Sequence, residues 1–202
     1  MDINIKIVGV VPLLCNRFTE EAALAATAGS RTAAPAAEKG TPFEQSEKKL
    51  YRSLDQQSFV IPQPNLLRCL VDGGRYHKIG RKQITTAQES LLYAALDIAG
   101  TEIKIEHKEP WRVDTRPVVN PSTRGRILCH RPMFDDWLLS FTAHVDTTLI
   151  GPKLLRLIVD DAGRRVGLGD FRPARKGPFG RFRVDYWQEI SEGVDEPLVL
   201  AA

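Results

Sequence analysis

The sequence predicts an α+β fold with a βαββαβ core interrupted by insertions. Three observations carry that expectation: runs of period two at the beginning, middle and end of the chain, amphipathic helical patterns between them, and glycine or proline at the changeovers. With 202 residues, 43% of them hydrophobic, the chain has apolar surface enough for a single domain, 1–202, with an elaborated periphery.

Taken in order, residues 3–11 alternate and then run apolar, as a strand at the centre of a sheet does, and Pro12 ends them. Residues 19–53 read as an inserted segment. Its first part is dominated by Ala among Gly, Ser, Thr and Pro, so 20–28 suit a helical turn or two within a mobile excursion. Thr41 then caps a helix with Pro42 in its first turn, acids early and lysines late, which suits the helix dipole. After a short apolar piece at 58–62, Asn65 caps a helix whose apolar face is Leu66, Leu67, Leu70 and Val71, stopped by Gly73 and Gly74. Residues 86–99 read as another helix, stopped by Gly100, and 102–106 alternate as a strand. Residues 111–131 form a hairpin-like excursion: 112–119 and 126–130 are strand-like, joined by the turn-rich NPSTRGR. Residues 137–147 place Leu139, Phe141, Ala143 and Val145 on one face against Ser140, Thr142, His144 and Asp146 on the other. Pro152 opens an amphipathic helix through 165, and 180–187 form the final strand, with Phe182, Val184 and Tyr186 alternating against Arg181, Arg183 and Asp185. Residues 191–202 are an acidic C-terminal tail. This order is the ferredoxin-like plan shared by RRM-like domains.

Charge narrows the function classes. A formal net charge of +3 excludes a histone-like polycation, yet the basic residues are clustered. The densest cluster lies between the last helix and the last strand, where Gly167, Gly169, Gly177 and Gly180 alternate with Arg172, Arg175, Lys176 and Arg181 and with Phe171 and Phe179. Glycines let a polyanion approach the backbone, guanidinium forks match phosphate oxygens, and aromatic rings stack on bases. A second basic segment holds Arg75, Lys78, Arg81 and Lys82; a third, the hairpin, holds Arg112, Arg116, Arg124, Arg126 and Arg131. Together they predict a phosphate-tracking surface for a single strand, RNA before DNA, with no direct base readout.

Catalytic chemistry is thinly represented. His77 and His130, each beside a cation, are the candidates for a general base. The pairs Asp135-Asp136 and Asp160-Asp161 are sequence neighbours that point apart, so no metal cage is expected. Gly167 to Gly169 follows a helix instead of opening one, which argues against a nucleotide cofactor. Cys15, Cys69 and Cys129 lack CxxC spacing and are expected as three buried thiols without disulfide or zinc. Neither a membrane span nor a signal peptide is recognisable, so a cytoplasmic location is expected.

Three pieces of the chain carry a family likeness. The first strand runs through Gly9-Val10-Val11 into Pro12-Leu13-Leu14; Ile61-Pro62 precedes the helix beginning Asn65-Leu66-Leu67-Arg68; and Gly167-Leu168-Gly169 with Gly180-Arg181-Phe182 brackets a loop before the last strand. In these the chain resembles the RAMP superfamily, especially the single-fold backbone subunits of CRISPR effector complexes and related phage-encoded proteins. Gln63 follows Ile61-Pro62 where the family has Gly, and the chain is shorter than most such subunits. The resemblance implies a subunit of an oligomeric ribonucleoprotein in antiviral defence, binding single-stranded RNA in a groove and stacking on copies of itself or related subunits. It also implies that 111–131 is a protrusion between stretches of bases. A metal-independent endoribonuclease of the same superfamily, using His77 or His130, and a phage-type assembly protein without nucleic acid are the alternatives.

Overall fold

The computed structural model describes residues 1–19, 40–119 and 124–190. The helical turns expected at 20–28, the middle of the hairpin turn at 120–123 and the tail at 191–202 lie outside the described residues.

Strand β1 (Asp2–Gly9) buries Ile3, Ile5 and Ile7 on one side, and a short β2 (Leu13–Leu14) follows across Pro12. Helix α1 (Pro42–Glu47) starts where the sequence places it. Thr41 Oγ1 accepts from the Glu44 amide at 3.3 Å and Glu44 Oε2 accepts from the Thr41 amide at 2.8 Å, a reciprocal capping box. Strand β3 (Val60–Pro62) feeds directly into α2 (Gln63–Gly73). The helix therefore begins two residues before the expected Asn65 cap: Pro64 sits in the first turn, where a missing N–H costs nothing, and Asn65 is an exposed first-turn residue.

Beyond α2, a small hairpin pairs β4 (Lys78–Ile79) with β5 (Lys82–Gln83) around Gly80. The helix expected over 86–99 is only one turn, α3 (Leu92–Ala95), followed by β6 (Leu96–Ile98). Leu96 and Ile98 are buried while Asp97 is exposed, and this alternation lets the segment pair in a sheet, which outweighs its helical propensity. Strand β7 (Glu102–Glu106) matches the expected bounds, as does β8 (Arg112–Val119); β9 (Arg126–Phe134) runs four residues past the expected 130, into the core. Strand β10 (Leu138–Val145) shows the expected half-buried alternation. Helix α4 (Pro152–Asp161) widens into a π-helical turn, Ala162–Val166, and β11 (Phe182–Ile190) closes the core. A register shift opposite Lys6/Ile7 places Tyr186, not Asp185, across from Lys6, so Tyr186 is exposed instead of continuing the buried Phe182–Val184 face.

The main sheet runs in the order β11-β1-β10-β7-β3, with β6 pairing farther along β10. Strand β1 lies between β10 and β11, antiparallel to both, with Asp2 opposite His144 and Val8 opposite Leu138. This is the split βαβ arrangement of a ferredoxin-like core. Leu66, Leu70, Leu155 and Ile158 of the two long helices join Ile3, Ile5, Ile7 and Leu139 in one core. Each such side chain contributes about 1.5–3 kcal/mol on burial. A second sheet, β2-β9-β8, hangs from the end of β1. Helix α1 braces it: Phe43 stacks on Trp111 at 4.8 Å, and the buried Lys49 ammonium donates to the His130 carbonyl at 2.8 Å.

Candidate nucleic-acid interface

The loop after α4 is a closed, folded structure. Leu168 donates to the Gly180 carbonyl at 2.9 Å, Gly180 to Pro12 at 2.8 Å and Asp170 to Leu14 at 2.8 Å, so the loop clasps the segment between β1 and β2. Two of its glycines are required by that closure. Gly169 (φ +72°) would drive a Cβ to 2.3 Å from the Leu14 carbonyl oxygen, and Gly180 (φ +68°) to 1.8 Å from that of Leu168. Here glycine serves the close approach of the chain to itself, where the sequence suggested approach to a polyanion.

The loop forms one wall of a groove of about 620 Å³. The first two turns of α2 line it with Asn65 and Arg68; Val118 of β8 and Arg131 of β9 reach it from the hairpin, and Asn16 and Tyr51 add to the lining. Gly167, Gly169, Phe171, Arg172 and Arg175 line the loop side. The amino-terminal end of α2 contributes the positive pole of its dipole to the same space. Asp170 is the groove's carboxylate. It accepts from Arg131 at 2.8 Å and from Asn16 at 3.1 Å, so its charge is compensated internally. Arg172 donates to the Gly169 carbonyl at 2.8 Å, while Arg175 is exposed. The groove can thus bind a phosphate chain by charge-assisted hydrogen bonds.

The other expected contacts are engaged in the fold or lie outside the groove. In the hairpin, Arg131 is buried between Asp114 (3.5 Å) and Asp170, Arg116 donates to Asp114 at 2.9 Å, and Arg112 pairs with Asp135. Arg131 is therefore a strut between hairpin and loop, not a free phosphate ligand. Arg124 and Arg126 are exposed at the hairpin's outer end. Phe179 is buried, packs on Leu14 and Met133 and carries the Arg116 guanidinium 4.7 Å from its ring centroid, so it is a packing residue instead of a stacking platform. Phe171 is half-buried beside it. Lys176 and Arg181 are exposed but do not line the groove. Gly177 lies inside the loop, its amide bonded to the Arg172 carbonyl at 3.0 Å. Arg75, Lys78, Arg81 and Lys82 sit beyond the far end of α2.

No histidine among the described residues lines the groove. His77 Nε2 is 3.0 Å from Asp161 Oδ2, and His130 Nδ1 is 2.8 Å from the Thr115 hydroxyl. Burial, with Asp170 adding to it, pushes the Cys15 thiol up to about 12, and burial pushes Cys69 up to about 12. Both are inert thiols; Cys129 is half-buried, unlike the expected third core thiol. Among the described residues no group of three or more His, Cys, Asp or Glu is placed to hold a metal ion, and no helix is long and apolar enough to cross a membrane.

Neither a protein-family model nor a curated protein matches this chain. Solved structures do. A chain of the type III-B Cmr-beta, solved by cryo-EM bound to cognate target RNA, aligns over 93% of this chain at TM-score 0.52 and 8% identity. What the two share is the fold. The present chain spans 59% of that longer one. A chain of a type IV-B CRISPR complex aligns over 98% of this chain and 94% of its own length, at TM-score 0.49 and 12% identity.

The one groove cation that sequence reasoning left out of the site is Arg68. It was visible only as part of the helix-opening segment; the available signal is its place one turn after Asn65 and one turn before Asp72, on the polar face of the helix.

Proposed function

We propose that this protein is a RAMP-like subunit of a ribonucleoprotein complex that holds single-stranded RNA by its backbone, without reading sequence. The observation that carries this is the convergence of Arg68, Arg172 and Arg175, from two distant parts of the chain, on one groove whose only lining acid is already paired. The fold likeness to a chain of an RNA-bound type III-B assembly supports the choice of RNA and of a multisubunit setting. Arg68 of α2 and Arg175 of the loop take phosphates, and Phe171 offers a partly exposed ring edge to a base.

Fluorescence anisotropy with a labelled oligouridylate tests this. Wild-type affinity should fall with salt, log K changing by about 0.7 per phosphate neutralised. Arg172→Glu/Arg175→Glu should weaken binding about a hundredfold and flatten that slope by about 1.4. Arg175→Glu alone, at an exposed position, serves if the double variant does not fold. Unchanged affinity and slope in a folded variant would overturn the proposal.

A further inference from the structure

The cations outside the groove form a second surface, reached from it along α2, and Arg68 belongs to both. Its guanidinium donates to Asp72 and to the Tyr93 hydroxyl, each at 3.3 Å, and on the next turn Arg75 approaches the same carboxylate at 3.3 Å. Past the end of α2, Tyr76 is exposed beneath the Arg165 guanidinium, 4.6 Å from the ring centroid. Arg165 and Arg164 come from the π-helical turn after α4 and are held by Asp161 at 3.2 and 3.1 Å. The β4–β5 hairpin carries Lys78, Arg81 and Lys82, all exposed; Lys78 shares one face with Gln83, while Lys82 shares the other with Ile79 and with His77, whose imidazole meets Asp161 at 3.0 Å, so Lys82 continues the surface.

Two carboxylates organise this surface. The side chains of Asp72 and Asp161 are only 15% and 11% exposed, and each is shared by two arginines, so neither cancels the positive charge around it. A shared carboxylate fixes the planes of the guanidinium groups it holds, which lowers the ordering cost of binding a further anion on their exposed edges. The exposed tyrosine among them adds a flat apolar face, the pairing of cation and aromatic that single strands use.

We infer that a single strand of RNA leaving the groove continues along this face of α2, with phosphates on Arg75 and Lys82 and a base against Tyr76. The inference rests on the groove reading, because Arg68 is the point of continuity. It assigns a role to the second basic segment that the groove alone does not supply.

The test compares labelled oligouridylates of about 6 and about 18 nucleotides, within the range of single-strand footprints. In Arg75→Gln/Lys82→Gln the long oligonucleotide should bind about tenfold more weakly with its salt slope reduced by about 1.4, while the short one keeps its affinity. Tyr76→Ala should likewise weaken only the long one. Unchanged long-oligonucleotide binding in both variants, or equal losses at both lengths, overturns the extended path. In that case the groove reading stands if Arg172→Glu/Arg175→Glu still weakens both lengths. Wild-type protein that binds neither length overturns both readings together. Matching thermal unfolding of these surface variants confirms that a loss is one of binding.

Discussion

The glycine loop and the β8–β9 hairpin are both rich in arginine, and they use it differently. In the hairpin three arginines are engaged by carboxylates, while Arg124 and Arg126 stay exposed at its outer end: Arg131 is only 5% exposed between Asp114 and Asp170, Arg116 closes on Asp114, and Arg112 on Asp135. In the loop, Arg172 is tied only to a backbone carbonyl, and Arg175 and Lys176 are exposed with no ion pair among the described residues. Equal charge density in sequence therefore corresponds to two physical jobs. One region uses much of its positive charge to tie the hairpin to itself and to the loop; the other keeps it available to an outside anion.

The largest test of this contrast is Arg131→Ala. It removes the buried guanidinium that joins Asp114 to Asp170; Asp114 keeps Arg116 at 2.9 Å and Asp170 keeps Asn16 at 3.1 Å, so the cost should fall short of that of a wholly unpaired buried charge, at about 2–3 kcal/mol. Urea unfolding should show that loss. Arg131→Met combined with Asp114→Leu should recover part of it, since the buried centre of the network becomes apolar while Arg116 and Asp170, both partly exposed, can turn to water. A cost below about 1 kcal/mol for Arg131→Ala would put Arg131 back among ordinary surface cations.

Gly180→Ala probes the loop side. The new methyl group meets the Leu168 carbonyl, and the residue must hold φ near +68°, so a loss of about 1–3 kcal/mol is expected from backbone strain alone. In thermal unfolding about 2–4 °C per kcal/mol applies to a chain of this size. RNA binding should fall with it, because Gly180 holds the loop against Pro12. If stability drops while affinity is unchanged, the loop's closure does not shape the groove.

Much of the core was legible because its signals are local. Strands such as 102–106 and 138–145 bury alternate residues, and Thr41 with Glu44 caps α1 as the sequence spells out. Residues 86–99 were misread because Leu91, Leu92, Ala95 and Leu96 satisfy a helical period, while the deciding partner, β10, lies about fifty residues later. The site divides the same way. The glycine loop announced itself by crowding cations and glycines into one stretch. Arg131 looked no different from Arg124 or Arg126, since the feature that separates them, Asp170, is 39 residues away and becomes a neighbour only on folding. Arg68 was hidden for the converse reason: it stands alone in sequence, and folding brings it to the loop.

The smallest expected effect is at the base of the hairpin, where Arg112 lies opposite Met133. Arg112 donates to Asp135 through two guanidinium nitrogens, but the two side chains are 57% and 45% exposed, so solvent screens the pair and Arg112→Ala should cost less than about 1 kcal/mol. The hydrogen bond from Arg112 holds the Asp135 carboxyl below its ordinary 3.8. A carboxylate depressed in the folded state stabilises above its unfolded pKa, and that contribution disappears as pH falls through the folded value. The difference between wild type and Arg112→Ala should therefore be present at pH 7, shrink in high salt and vanish at strongly acid pH. A penalty as large as that of Arg131→Ala, or one indifferent to salt and pH, would mean that burial is not what distinguishes the structural arginines from the rest.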